Sequence, residues 1–224
     1  MELFLLIIVG VLGFFVQARL NSVFGKYSNV PFAGNMTGAQ VAEKMLRDNG
    51  IYDVKVTHVS GKLTDHFNPQ TKTVNLSDSV YQSQSIAAAA VAAHECGHAI
   101  QHAEGYAPLS LRSMLVPVTS FASKYSTWVI LAGIVLASSY TTLIFWIGIG
   151  MLCVSALFSL VTLPVEYNAS ARALAWLQGA KILSEKEMSG AQVSLKWAAR
   201  TYLVAALSAV ATIIYYIGFA RGRD

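Results

Sequence analysis

The pattern His-Glu-x-x-His, formed by His94, Glu95 and His98, is the part of this sequence whose residue types and spacing could do chemistry. It lies in the largely apolar segment 86–100, which predicts a helix. Residues four apart share one face of a helix, so the two histidines can bind one metal ion. Neutral imidazoles suit Zn²⁺, which lowers the pKa of a bound water to about 7, and Glu95 can take a proton from that water. The pattern therefore predicts hydrolysis of an amide bond.

A third metal ligand is needed, because a catalytic zinc site usually has three protein ligands and one open position. His102 continues the histidine face, but it lies about 12 Å along the helix axis from His94, too far to share an ion. An aspartate from a later apolar segment is disfavoured, because Asp224 is the only aspartate after Asp78. The third ligand is therefore expected to be a glutamate.

Among the glutamates, Glu166 is the best candidate for the third ligand. Glu104 lies too close in sequence to His98, and Glu187 fits a capping box with Ser184. Glu166 follows an uncharged segment, and Pro164 can open a helix with Glu166 in its first turn. A first-turn glutamate favoured by the helix dipole is the alternative interpretation.

Composition and hydropathy favour a membrane protein. Of 224 residues, 54% are hydrophobic and 12% charged, whereas a soluble domain has about 25% charged residues. The apolar residues form blocks at 3–16, 128–163 and 202–220, and the middle block is long enough for two spans with a turn at 138–142. A signal peptide is disfavoured because Glu2, and no Lys or Arg, precedes the first block. The sequence therefore predicts four transmembrane helices.

Charge distribution predicts the topology. Segments 19–124 and 164–200 carry 14 of the 16 Lys and Arg residues, which favours a cytoplasmic location for both, although Arg221 and Arg223 then fall outside. The net charge is +4, without a basic cluster interleaved with aromatic residues, so nucleic acid is not an expected partner. The predicted divisions are a transmembrane helix (1–18), a catalytic region (19–126), a transmembrane hairpin (127–163), a helical region with the third ligand (164–200), and a last transmembrane helix and tail (201–224).

Local patterns predict the elements around the motif. Segment 37–49 has the spacing of an amphipathic helix, and segments 54–59 and 72–76 have the features of strands, with a turn at 68–70. Ser77 or Ser79 is expected to cap the approach to the motif helix. Neither of the two cysteines suggests a disulfide framework: Cys96 lies in the motif helix and is expected to point away from the metal, and Cys153 lies in a predicted span.

A family resemblance is carried by four stretches, namely LTDHFNP (63–69), NLS (75–77), AAHECGHAIQ (92–101) and LPVEYNAS (163–170). Over nearly its whole length the chain resembles the YugP-type neutral zinc metallopeptidases, which are bacterial membrane proteins. It is more distantly similar to the HtpX and CAAX-processing membrane proteases, which place two spans between the paired histidines and a ligand glutamate. Those relatives have an acidic residue four positions after that glutamate, where this chain has Ser170.

Two further sets of residues are candidates for the site. In zincins the strand before the motif helix pairs with an extended substrate, so Val74, Asn75 and Leu76 could offer backbone groups to a peptide. The alternative is an ordinary interior strand. His66, in a polar loop, could bind the oxyanion of a tetrahedral intermediate, and the alternative is a surface histidine.

Together these observations predict a mostly α membrane protein, with four transmembrane helices and a small zincin-like α+β catalytic unit. The expected function is a gluzincin-like zinc metalloendopeptidase that cleaves peptide bonds near the membrane surface, with Zn²⁺ on His94, His98 and Glu166 and with Glu95 as general base. A non-catalytic zinc-stabilised scaffold and an intramembrane-cleaving protease remain alternatives. Expected partners are a peptide or membrane-protein substrate and the lipid bilayer of the cell (inner) membrane, with the active site cytoplasmic. The oligomeric state is left open.

Overall fold

The structure, a computed structural model, describes residues 2–135 and 141–221. It is mostly helical with one small sheet, as the sequence predicts. The elements are α1 (Glu2–Ser28), α2 (Gly38–Asp48), β1 (Lys55–Val59), β2 (His66–Asn68), β3 (Thr73–Ser77), α3 (Asp78–Tyr81), α4 (Ile86–Ala103), α5 (Ala107–Val135), α6 (Thr141–Gly179) and α7 (Glu185–Arg221).

Three helices in the described part of the chain are long and apolar enough to cross a membrane, rather than the four predicted. Their apolar stretches are Leu3–Ser28, Leu143–Gly179 and Glu185–Ala220. Helix α5 is not among them, because Lys124 and several hydroxyl residues lower its hydropathy before the apolar run that starts at Trp128. Residues 138–140 of the predicted turn lie outside the described residues. Within the described residues, the four predicted spans are therefore corrected to three candidates.

The chain divides into two compact units. The helical unit comprises Met1–Val16, Ser110–Pro164 and Arg200–Asp224, and the site unit comprises Gln17–Leu109 and Val165–Ala199. Helices α1, α5, α6 and α7 therefore each contribute residues to both units.

The helical unit has few buried side chains. Its small core contains Ile130 of α5 together with Phe145 and Ile149 of α6, and a Cβ added at Gly148 would come within 2.5 Å of the Ile130 side chain. Only 11% to 22% of the most apolar window of each candidate spanning helix is buried, and many large apolar side chains of these helices are exposed. Such extensive apolar exposure suits a lipid environment and would be unfavourable in water.

The site unit is built around a sheet with the strand order β1-β3-β2. Strand β3 is central: it pairs in parallel with β1 (Lys55 opposite Thr73) and antiparallel with β2 (Phe67 opposite Val74). Val74 and Leu76 of β3 are fully buried and pack in one core with the alanine-rich face of α4. Small side chains on α4 allow this helix to lie close to its neighbours, which matters for the site that it carries.

Capping residues explain where two of the helices begin. Thr37 and Gln40 form a complete capping box at the start of α2, which confirms the helix predicted at 37–49. The motif helix α4 begins at Ile86, as predicted, and Ser85 caps it by accepting a hydrogen bond from Ala88 N. Ser77 instead precedes the one-turn helix α3 and makes no side-chain cap. The prediction that Ser77 or Ser79 caps the approach to α4 was therefore wrong.

Two other local predictions are corrected. Pro164 does not open a helix, because α6 runs without a break from Thr141 to Gly179 with Pro164 inside it and Glu166 in its interior. Proline is tolerated in apolar helices, where neighbouring groups can satisfy the carbonyl that it leaves unpaired. His66 does not lie in a loop, because it begins β2, a strand too short for its alternation to be recognised.

Candidate metal centre

The two candidate ligand histidines lie on one face of α4. His94 and His98 lie one turn apart, and their ring centroids are 4.8 Å apart with an interplanar angle of 82°. Crossed rings at this distance can direct one nitrogen each towards a common point. His98 is buried and His94 is half-buried.

Glu166 on α6 completes a three-residue cluster. Its Oε2 lies 3.2 Å from Nε2 of His94 and 3.6 Å from Nε2 of His98, and the three ligand atoms are within 4.8 Å of one another. Bonds of about 2.0–2.1 Å in a tetrahedral zinc site place ligand atoms about 3.4 Å apart, close to both distances. Glu166 is only 2% exposed, and a buried carboxylate needs a cation or protons beside it. The residues therefore fit a zinc ion.

Gly97 and Ala169 set the distance between the two metal-binding helices. A Cβ built on Gly97 would lie 2.6 Å from the backbone oxygen of Ala169, closer than real Cβ atoms approach such an atom. Gly97 lies next to His98, and Ala169 lies three residues after Glu166. The absence of a side chain at this position therefore permits the approach that brings Glu166 to the histidines.

Each histidine uses its other ring nitrogen for a hydrogen bond. Nδ1 of His94 lies 3.1 Å from Oγ of Ser170, and Nδ1 of His98 lies 3.0 Å from Oε1 of Gln101. The amide oxygen of Gln101 can only accept, so the proton of His98 lies on Nδ1 and its Nε2 lone pair is left for the metal, whereas the Ser170 hydroxyl can accept from His94 or donate to it. Ser170 is thus a neutral partner of His94.

The pKa of His98 is set by its burial and by the two nearby glutamates. Burial lowers the pKa of His98, but the hydrogen bond and charge of Glu166, with the charge of Glu95, leave that pKa above its usual value. The negative charge of the site therefore attracts a cation, which is the behaviour expected of a metal-binding centre.

Glu95 is held at the edge of the sheet. Its side chain is 8% exposed, and its Oε2 accepts a hydrogen bond of 3.1 Å from the backbone N–H of Phe67 in β2. The general base predicted from the sequence is therefore a buried carboxylate fixed by an edge strand, one residue away from a predicted ligand.

The structure does not bring His66 to the cluster. Its side chain is exposed, with Nδ1 2.8 Å from the carbonyl of Thr64 and Nε2 3.2 Å from Nδ2 of Asn75. Side chains alternate along a strand, and Phe67 faces the core under α4, so His66 lies on the opposite face of the sheet. The expected oxyanion contact from His66 has no geometric support.

The strand predicted to bind substrate does not lie at the edge of the sheet. Val74, Asn75 and Leu76 belong to the central strand β3, which has β1 on one side and, at Val74 and Asn75, β2 on the other. The edge of the sheet beside Glu95 is instead β2. The interpretation of these residues as an interior strand is the one that fits the sheet order.

Arg172 and Cys96, which lie near the cluster, make contacts with other residues of the protein. Arg172 forms a two-pronged ion pair with Glu104, with N–O distances of 2.9 and 2.6 Å, and its Nε donates to Oδ1 of Asn168. Cys96 is fully buried and its Sγ contacts the carbonyl of Ala42, and burial raises the pKa of this thiol. Neither the guanidinium nor the thiol belongs to the three-residue cluster.

Gln101 is the site residue that the sequence pattern did not single out. It is fully buried, and besides its contact with His98 it donates to the carbonyl of Val165 and to Oδ1 of Asn168. The available signal was a glutamine three residues after a motif histidine, inside a helix whose other residues are mostly apolar.

Comparisons with known proteins agree with this geometry. A family model described as "Putative neutral zinc metallopeptidase" matches residues 2–221 of the chain. The chain is also similar to a protein of Bacillus subtilis (strain 168) named "Putative membrane protease YugP", with 40% identity over 227 residues and 99% of each chain covered. No solved structure matches the chain.

Proposed function

The chain belongs to the family of neutral zinc metallopeptidases, and from this premise we propose that it is a membrane-bound zinc endopeptidase that cleaves peptide bonds. The observation that carries the proposal is the convergence of His94, His98 and Glu166 from two helices, with Glu166 Oε2 at 3.2 and 3.6 Å from the two histidine nitrogens, distances close to those in a zinc site. A bound zinc ion would polarise a substrate carbonyl and supply a nucleophilic water at neutral pH.

Glu95 is proposed to be the general base. Its carboxylate accepts a hydrogen bond from Phe67 N and lies beside the ligands, so it can take a proton from the attacking water and later give it to the leaving amine. Holding one oxygen on a backbone N–H leaves the other oxygen available for this transfer. His94 and His98, with their Nδ1 atoms occupied by Ser170 and Gln101, present Nε2 without reorientation.

The substrate is proposed to be an extended peptide that lies along β2. In a strand the N–H and C=O of one residue point to the same side, and Phe67 directs its N–H away from β3 towards Glu95. The Phe67 carbonyl on that same side can accept a hydrogen bond from a peptide. This edge replaces β3 as the proposed substrate strand, because β3 is central in the sheet.

The site is proposed to face the cytoplasm, because most Lys and Arg residues lie in segments 19–124 and 164–200. His98 and Glu166 meet in one site, so the chain between them must cross the membrane an even number of times. The apolar first part of α6 supplies one crossing. The matching crossing is proposed to involve α5, which ends in the apolar run from Trp128 to Val135 but is not a candidate span by its own hydropathy.

The two alternative functions differ from this proposal in testable ways. A structural zinc site usually has four protein ligands, whereas the cluster found in the described residues has three. An intramembrane protease would cleave only membrane-embedded substrates, whereas the proposed enzyme also cleaves an unfolded soluble protein.

The decisive experiment compares Glu95→Gln with the wild type, purified in detergent with zinc, on an unfolded soluble protein such as casein. Loss of the general base should lower the rate about 10²- to 10⁴-fold while zinc content is unchanged. Glu43→Gln, an exposed glutamate of α2, is the matched control and should retain full activity. Full activity in Glu95→Gln would refute the mechanism, and inactivity of the wild type towards casein but not towards a membrane-spanning substrate would favour intramembrane cleavage.

A further inference from the structure

The side chain of Gln101 connects the two helices that carry the metal ligands. On α4 it lies one turn after His98 and is fully buried. Its Oε1 lies 3.0 Å from Nδ1 of His98, while its Nε2 lies 2.8 Å from the carbonyl of Val165 and 2.9 Å from Oδ1 of Asn168, both on α6. Val165 immediately precedes the third ligand. The amide of Gln101 therefore contacts one candidate ligand, His98, directly, and it contacts the backbone of the residue before the other, Glu166.

Hydrogen-bond chemistry allows only one orientation of this amide. Arg172 can only donate, and its Nε lies 2.8 Å from Asn168, so Asn168 must present its oxygen. That oxygen and the Val165 carbonyl are both acceptors, so Gln101 must direct its NH₂ group to α6 and its oxygen to His98. The imidazole must then donate from Nδ1, which leaves its Nε2 lone pair towards Glu166.

This series of hydrogen bonds, from His98 through Gln101 and Asn168, ends at Arg172 on the surface of the protein. Both terminal nitrogens of Arg172 contact the carboxylate of Glu104, at 2.9 and 2.6 Å, with the arginine side chain 26% exposed. Paired, two-pronged contacts of this kind fix the plane of the guanidinium. The orientation imposed on Asn168 and Gln101 therefore follows from a geometry that is independent of any metal.

We propose that Gln101 is a positioning residue, which fixes the tautomer and ring orientation of His98 and holds α4 in register with α6 before the metal binds. This inference rests on the proposed function, because it assumes that His98 and Glu166 are metal ligands. Partners of ligand histidines typically change metal affinity by about 10- to 100-fold when they are removed. Gln101 should lie in the upper part of that range, because its loss affects both metal-binding helices.

His94 provides an internal comparison. Its Nδ1 partner, Ser170, is a single hydroxyl on α6 at 3.1 Å, without the additional contacts that Gln101 makes. The two histidines are therefore positioned unequally, and removal of Gln101 should weaken zinc binding more than removal of the Ser170 hydroxyl does.

The test measures zinc affinity by competition with a chelator, together with the visible spectrum of the Co²⁺-substituted protein, for Gln101→Met in the full chain. Methionine conserves volume and removes all three hydrogen bonds. We expect zinc affinity to fall about 10- to 100-fold and the Co²⁺ bands to shift, because the ring of His98 is no longer held. The matched control is Gln178→Met, an exposed glutamine of α6, which should change neither measurement.

A conservative variant separates the two roles of the amide. Gln101→Glu can still accept from His98 but cannot donate to Val165 or Asn168, so its zinc affinity should also fall below that of the wild type. Equal affinity in Gln101→Glu would refute the role in holding α6. Wild-type affinity and an unchanged Co²⁺ spectrum in Gln101→Met would overturn the whole proposal.

Two additional variants keep the test decisive. If Gln101→Met does not fold, Asn168→Ala replaces it: loss of the acceptor frees the amide and should lower zinc affinity, and unchanged affinity would overturn the proposal. His94→Ala tests the metal site itself. If His94→Ala binds zinc as tightly as the wild type, the proposed function fails. If His94→Ala loses zinc but the Gln101 variants keep wild-type zinc affinity, only the present inference is rejected.

Discussion

Replacement of Gly97 by alanine should separate the two metal-binding helices. The added Cβ would lie 2.6 Å from the backbone oxygen of Ala169, and no side-chain rotation can relieve a contact with backbone. Reaching 3.0 Å requires a movement of about 0.4 Å, and ordinary contact at 3.4 Å requires about 0.8 Å. Metal–ligand distances tolerate only about 0.2 Å, so either movement takes Glu166 out of position.

The size of the effect follows from the cost of overpacking. Extra atoms in a well-packed interior cost about 1–3 kcal/mol. If this cost falls on the zinc-bound state, in which Glu166 must approach both histidines, zinc affinity should fall about 5- to 150-fold. Without the clash, Gly→Ala inside a helix would stabilise the protein by about 0.5–1 kcal/mol. A loss of stability in Gly97→Ala would therefore indicate the clash, and a gain would indicate its absence.

The assay is chelator competition for zinc in detergent, with thermal unfolding of the metal-free protein measured in parallel. Gly25→Ala is the matched control, because Gly25 lies in α1 with nothing within 4 Å of an added Cβ. It should leave zinc affinity unchanged. If Gly97→Ala binds zinc as tightly as Gly25→Ala, the contact between the helices does not set the ligand geometry.

Three further predictions concern the surroundings of the site. Ser170→Ala should lower zinc affinity by less than about tenfold, because one neutral hydrogen bond is lost; a larger loss than in Gln101→Met would contradict the proposed inequality. Phe67→Pro, which removes the N–H bound to Glu95, should lower kcat about tenfold with zinc affinity unchanged, while Phe67→Ala keeps the N–H and should retain kcat; equal rates in both variants would reject this role. A cysteine at Lys62, an exposed position, should be protected from membrane-impermeant thiol reagents in intact cells but react after lysis, and labelling in intact cells would place the site outside.

The three-residue cluster could be predicted because the motif spacing and the scarcity of later carboxylates narrow the choice of residues. The spacing of His94 and His98 fixes a shared helical face, and the scarcity of later carboxylates leaves few candidates for the third ligand. The structure places Glu166 beside both histidines although it lies on a different helix. The amphipathic helix α2 was equally clear, because its capping residues are local in sequence.

Other features could not be predicted because they depend on distant partners. Strand β2 has only three residues, and its pairing with β3 decides which edge of the sheet is available to a peptide. Pro164 usually indicates a helix start, yet α6 continues through it, because the rest of the helix and its neighbours outweigh one missing hydrogen bond. The role of Gln101 becomes visible only when Val165 and Asn168 lie beside it.

The most direct test of this account is X-ray absorption at the zinc edge on the purified full chain, beside the Glu166→Gln variant. The account predicts one zinc per chain, bound by two histidine nitrogens and by oxygen atoms at about 2.0–2.1 Å, and a strongly reduced zinc content in the variant. A chain that holds no zinc, or an identical spectrum and zinc content in Glu166→Gln, would contradict the assignment of His94, His98 and Glu166 as the metal site.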